Sequence, residues 1–398
     1  MWKIIRQDNW LIVLVLATLP IQQFWIRPLV GLGAPDWLTF ALTNWAAPVI
    51  FFLAAVGFWR SRPRITADYW LLIFTALALM PIIWQFAEAR ELAVGWRYTL
   101  FATLGYWIGR GRLLSSEVID RCLRVTLWAV LAGIGLQLIF WLAGSDELIS
   151  KFGFEPAFAA GDWWRVFGPM SGPNQLGTFL ALAGAWLFWR KRLTRIELIL
   201  VLVGVILTFS RSAFLGLAAG LLIAPIVLAT TWRQRLYLVA GVLAATVVVA
   251  LAITNTASLR EGLIEARRAD LRITLLHDTA ERFRSSAPIE WVIGHGAGTA
   301  GPAAAVLQNG GFIPENWFLQ VAYEFGVLGL VSILLLLVAV TCAAIKQRHR
   351  ALLGIVLVMV VNSLFLHPLS DNFAAALWFY FMLGAAITPS KPEENKVQ

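Results

Sequence analysis

The sequence predicts an all-α, polytopic membrane protein of about twelve transmembrane helices, with a long extracytoplasmic loop between helices nine and ten. Three observations predict it. Of the 398 residues, 59% are hydrophobic and only 14% charged, with 20 Trp and 25 Phe, whereas a soluble domain carries roughly 25% charged residues. The apolar residues come in runs near the ~20-residue length that a bilayer requires. The basic residues behind the net charge of +9 fall in short clusters between those runs, the pattern of cytoplasmic loops rather than of a nucleic-acid-binding face. The two cysteines, Cys122 and Cys342, lie near cytoplasmic ends of spans, which argues against a structural disulfide.

Taken in order, the runs are 10–26, 37–58, 69–87, 95–109, 122–143, 173–189, 194–209, 211–229, 235–253, 316–344, 351–367 and 371–388. The first follows a basic N-terminus without a small-residue cleavage site, so it reads as a retained span. An inside N-terminus then puts both termini in the cytoplasm. Lysine and arginine support that orientation: 20 of the 32 fall on the cytoplasmic side. Six more lie in the long loop, where the positive-inside bias does not operate. The expected division is helices one to nine over 1–253, the extracytoplasmic loop over 254–315, helices ten to twelve over 316–388, and a disordered cytoplasmic tail over 389–398. Within the long loop, Leu259, Leu263, Leu271 and Leu275 recur at helical spacing among many charges. That spacing predicts amphipathic helices on the membrane surface or capping the bundle.

A lone arginine, Arg211, stands where spans seven and eight meet, in "LTFSRSAFLGL". An arginine at a helix end can simply snorkel to the interface. Its setting offers more: Ser210 and Ser212 bring hydroxyls, and the start of the eighth helix brings free amides and a positive dipole, together suited to phosphate. The Gly-rich "WVIGHGAGTAG" holds His295 and lacks the Gly-Lys-Ser ending of a P-loop, so alone it reads as a loop. In "IPENWFLQVAYEFGVLGL", Glu315 precedes Asn316 at the start of the tenth span. It is either a helix-dipole carboxylate or a base at the membrane surface. Glu324 lies nine residues on, about 13 Å deeper at ~1.5 Å per residue, where an ionisable group is paired or functional. Asn174, with Trp163 and Trp164 before it, could meet sugar faces, although interfacial aromatics are common. His277, His295, His349 and His367 are scattered, and neither a metal site nor a cofactor is expected.

The pieces "FGPMSGPNQLGTFLAL", "LTFSRSAFLGL", "DLRITLL", "IGHGAGT" and "ENWFLQVAYEFGVLGL" occur in an order that resembles the O-antigen ligase and O-antigen polymerase family of bacterial inner-membrane enzymes. The resemblance covers about residues 165–388 and is best over 204–335. It implies a polyprenyl-pyrophosphate-linked glycan as donor, a glycan or lipid A–core as acceptor, and a chain-length regulator as a further partner. It also implies an active site facing the periplasm. Arg211 matches the family arginine that engages the donor pyrophosphate, and Arg272 in "DLRITLL" matches the second. Ligases typically carry histidine before the asparagine of the tenth span; here that residue is Glu315. The departure tilts the reading from ligase towards polymerase, because a carboxylate is the usual base of inverting glycosyl transfer. Ser210, Ser212, Asn174, His295, Asn316 and Glu324 complete the expected substrate-binding set. A transporter is the alternative of another class. Its mark would be internal repeats and midplane charges, whereas the polar groups here crowd the outer face.

Overall fold

In a bilayer, each backbone amide must find its partner within its own segment, so apolar runs of this kind fold as helices. The computed structural model describes residues 9–80, 89–154, 159–160, 163–236, 266–307, 312–314 and 316–387, with the side chains at 9, 89–93, 159–160, 163, 266–273 and 276 outside that set. Helices α1 (Asn9–Thr18), α2 (Gln23–Gly31), α3 (Asp36–Asn44), α4 (Ala46–Ser61), α5 (Thr66–Leu79), α6 (Ala89–Thr99) and α7 (Leu104–Arg110) form the first part. Then come α8 (Ser116–Ala143), α9 (Asp146–Lys151), α10 (Pro173–Trp189), α11 (Arg195–Leu207) and α12 (Arg211–Leu228). The described part of the expected long loop holds α13 (Ala266–Ser285), α14 (Pro288–Ile293) and α15 (Gly301–Leu307), followed by α16 (Trp317–Lys346), α17 (Arg350–Ser363) and α18 (Phe373–Ile387). A two-residue antiparallel pairing, Ala159–Ala160 with Trp163–Trp164, is the exception to helix.

The expected count of twelve spans is not confirmed among the described residues. Among the described residues, four helices are long and apolar enough to cross: Asp36–Ser61, Ser116–Ala143, Arg211–Leu228 and Trp317–Lys346. A fifth is added if Trp10–Ile21 and Gln23–Gly31, bent by 56°, form one span. The reason is interruption. Pro20 opens a 3₁₀ turn, Leu19–Ile21, that breaks the first run, because proline cannot donate within a helix. The fourth run is cut by a second such turn, Phe101–Thr103, which leaves α7 only 7 residues long. Helices α5, α17 and α18 are apolar but have 14, 14 and 15 residues, about 21–23 Å of a core about 30 Å thick. Most of the expected ninth span, 235–253, lies outside the described residues.

Two ends of the bundle differ in chemistry. At one, Asp120 takes Arg190 at 3.1 Å, Arg192 at 3.4 Å and the Trp186 indole N–H at 2.9 Å. Nearby in the chain, Glu197 takes Arg124 at 2.6 Å, and buried Asp68 takes Arg110 at 2.8 Å. The other end holds the start of α10, the α11–α12 joint, the start of α16 and the α17–α18 connection. Helix α10, 17 residues long, runs between the ends and separates them by about 25 Å. Asn362 ties the middle together: its Nδ2 donates to Val358 O at 2.9 Å, and its Oδ1 accepts from Thr178 Oγ1 of α10 at 3.2 Å.

Candidate functional site

The joint that holds Arg211 is tight because Phe209 adopts a left-handed backbone, φ 47°, where a glycine would be usual. Its N–H still bonds Ile206 O at 2.9 Å. The chain therefore reverses within a few residues, and Arg211 falls on the first turn of α12. Its side chain is exposed, while Ser210 and Ser212 are buried with their hydroxyls 3.3 Å apart. Arg165 braces this joint from the preceding loop: its Nε donates to Thr208 O at 2.8 Å and its Nη2 to Asn174 Oδ1 at 2.7 Å. The sequence does not single out Arg165. Its only local signal is a charge among aromatic and apolar residues in "WWRVFGPM".

A second cluster surrounds α16. Gly326 has φ 66° and ψ −170°, so the helix breaks there. The Gly-rich loop lies against this break: His295 N donates to Tyr323 O at 2.9 Å and Gly296 N to Glu324 O at 2.8 Å. A Cβ on Gly294 would come within 2.3 Å of Glu324 O, so the close approach requires glycine. The His295 ring stacks on Tyr323 at 4.0 Å, with Nε2 3.1 Å from Ser286 Oγ and 3.3 Å from Glu290 Oε2. Glu324 is fully buried. Its Oε1 accepts from Gly298 N at 3.0 Å and Ala300 N at 3.4 Å, and its Oε2 from Thr99 Oγ1 at 3.2 Å and Gln320 Nε2 at 3.4 Å. A carboxylate so occupied joins the loop to α6 and α16 and presents no free oxygen to a solute.

The connection between α17 and α18, residues 364–372, links the two clusters. His367 Nδ1 and Ser370 Oγ each lie 2.9 Å from Gln320 Oε1. Asn316 caps α16 by accepting from Leu319 N at 3.1 Å, and its Nδ2 donates to Leu364 O at 3.0 Å. Towards α10, Gln175 Nε2 donates to Asp371 Oδ2, and Asn372 Nδ2 donates to Gln175 O at 2.7 Å. Burial keeps the His367 imidazole neutral by lowering its pKa to about 4, whereas Asp371 is exposed to the cavity space, and the surrounding cavity wall desolvates its carboxyl enough to raise it to about 6 against the opposing Gln175 hydrogen bond. Of the residues expected from the sequence, Ser210, Arg211, Ser212 and Asn174 gather at the joint, and His295, Asn316 and Glu324 gather around α16. Glu315 and the side chain of Arg272, on α13, lie outside the described residues. On the same helix, exposed His277, Asp278 and Glu281 bring three potential ligand atoms within 4.8 Å of one another.

A cavity of about 700 Å³ opens beside Gln175 and Asp371, walled by the α1–α2 break, α4, the α6–α7 region and the start of α18. In comparison with known proteins, residues 196–334 match the family model described as O-antigen ligase. That stretch holds the Arg211 joint, the His295 loop and Glu324. No curated protein matches the chain.

Proposed function

The match over residues 196–334 supports the O-antigen ligase and polymerase family, and with it glycan transfer at a membrane; on that premise we propose that this chain polymerises a lipid-linked glycan. The donor is a glycan on a polyprenyl pyrophosphate in the bacterial inner membrane, and the reaction takes place at the periplasmic end of the bundle. An acceptor hydroxyl attacks the anomeric carbon of the donor. The C–O bond to pyrophosphate breaks, the polyprenyl pyrophosphate leaves with the electron pair, and the hydroxyl proton passes to Glu315. The single observation that carries the reading is the α11–α12 joint. Arg211, two buried serine hydroxyls and the amides of a helix N-terminus converge there, with Arg165 bracing the turn. Such a joint suits the charge that grows on a leaving pyrophosphate, since fixed guanidinium donors stabilise it without needing to reorganise. In this reading the guanidinium donors take the role a metal would have on the leaving group, and direct displacement at the anomeric carbon makes the transfer inverting.

Polymerase is favoured by Glu315, a carboxylate where the resembling ligases carry histidine. The second reading, a ligase with lipid A–core as acceptor, is favoured by the description of the matched model itself. Glycolipids from a strain lacking the protein separate the two. A single repeat unit on lipid A identifies a polymerase; long chains stranded on the polyprenyl lipid, with bare lipid A–core, identify a ligase. Purified Arg211→Ala is expected to lose about 100-fold or more in transfer rate, the scale of removing one charge-stabilising group. Glu315→Gln is expected to lose at least as much, with donor binding retained. Full activity in either variant refutes its role.

A further inference from the structure

The cavity beside Gln175 and Asp371 is built by residues between 19 and 107, by 169–175 and by 370–374, and none of these falls in the stretch 196–334 that the family model matches. It shares one short segment with the Arg211 joint. Asn174 is bonded to Arg165 of the joint, while Gln175, the next residue, lines the cavity. The wall grades along the bundle. Gln175 and Asp371 lie at the end that holds the joint. Trp107 lies near the far end of α7, three residues before Arg110, which pairs with Asp68. Between these ends run aromatic rings: Phe51 and Phe101 at 5.0 Å, Phe101 and Phe373 at 5.4 Å.

Several wall groups are pre-set for a polar ring. Trp96 is fixed by its indole N–H, which donates to Ala78 O at 3.2 Å, so it stands as a rigid face of the kind that stacks on sugars. Gln22, at the break between α1 and α2, has a buried Oε1 with no hydrogen-bond partner among the described residues. A buried acceptor without a donor is uncommon, and a ligand hydroxyl would satisfy it. Asp371 lines the cavity and accepts hydroxyls. Arg97 lines the same cavity and supplies further donors to hydroxyl oxygens.

We propose that this cavity is the acceptor subsite. It seats the sugar end of a lipid-linked glycan on Gln22, Gln175 and Asp371, lays a ring face on Trp96, and runs the lipid stem along Phe51 and Trp107. The assignment rests on the glycosyl-transfer reading above and adds where the acceptor lies. It also locates acceptor choice in a part of the chain that the matched family segment does not include.

The test uses the full chain in lipid nanodiscs with dodecyl maltoside, a disaccharide on an alkyl stem, below its micelle concentration. Saturation-transfer NMR reads the glucose ring protons and the alkyl protons separately. Wild type is expected to saturate the ring protons; Trp96→Ala and Asp371→Asn are each expected to weaken that signal's half-saturation about fivefold, the scale of one lost hydrogen bond or stacking contact. Trp96→Phe, which keeps a ring, is expected to retain most of it, and circular dichroism checks that each variant is folded. Saturation of the alkyl protons alone, or equal sugar binding in all folded variants, overturns the assignment. In the transfer assay, the same variants are expected to raise the half-saturating acceptor concentration and leave the donor's unchanged; the reverse pattern also overturns it. If wild type transfers no polyprenyl-linked glycan yet still binds the maltoside ring through Trp96 and Asp371, the glycosyl-transfer reading fails while the sugar site stands.

Discussion

At the residue scale, Asp371 works in two directions with pH. Its carboxyl rises from an ordinary value of 3.8 to about 6 because the cavity wall desolvates it, and the Gln175 hydrogen bond only partly offsets this. Arg97 and Tyr98 line the same cavity, and His367 stands four residues earlier with its imidazole held near neutrality. A group whose pKa is higher in the fold than in the unfolded chain stabilises the fold while protonated. That contribution is complete below about 4 and is lost as pH rises through about 6. Binding of a hydroxylated ligand goes the other way, since the ionised carboxylate is the better acceptor. Maltoside affinity is therefore expected to strengthen several-fold between pH 5 and pH 7, and Asp371→Asn to flatten the profile. A wild-type profile that is flat or inverted, measured by the same NMR titration, contradicts this role. Neither Asp371 nor its partner is legible in the sequence. Gln175 and Asp371 are separated by 196 positions, and each reads locally as a polar residue at a helix end. Ser210-Arg211-Ser212 is legible because a lone charge between two apolar runs is a local anomaly.

At the element scale, breaks in helices position the site, and their legibility depends on whether a breaker residue marks them. Pro20 marks the α1–α2 break that exposes Gln22 to the cavity. The break in α16 is hidden: "VAYEFGVLGL" reads as continuous apolar helix, and a glycine within such a run signals no stop on its own. Gly326 adopts φ 66°, and a Cβ there would meet Val292 O at 2.3 Å. Gly326→Ala is thus expected to cost about 2 kcal/mol or more, combining a left-handed backbone with a backbone overlap. The loss should appear as a lower unfolding temperature, together with faster hydrogen exchange at Gly296 and Gly298, whose amides bond Glu324. An unchanged unfolding temperature would show that α16 can straighten and that its break does not hold the Gly-rich loop. The Phe209 reversal is hidden for the complementary reason: a left-handed phenylalanine has no sequence signature, so in the sequence the joint reads as a meeting of two spans without a turn.

At the scale of the whole molecule, composition and charge placement carry the all-helical membrane character, whereas hydropathy alone cannot count crossings when helices are short, bent or shielded by neighbours. Helices of 13–15 residues such as α11, α17 and α18 cannot by themselves span a core about 30 Å thick, yet they pack inside a bundle whose longer members can. What the charges do predict is polarity. The end formed by Asp120, Glu197, Asp68 and their arginines is the basic end, and we propose from the positive-inside bias that it faces the cytoplasm. On that proposal the Arg211 joint and the cavity mouth would face the periplasm. Single cysteines test this in a background where Cys122 and Cys342 are replaced by alanine. Ser171→Cys is exposed at the cavity mouth, and Arg121→Cys is exposed on α8 beside Asp120. A membrane-impermeant maleimide is expected to label Ser171→Cys in intact spheroplasts and Arg121→Cys only after permeabilisation. The opposite pattern would place the joint on the side where a periplasmic lipid-linked donor cannot reach it, and the proposed polymerisation would fall with the orientation.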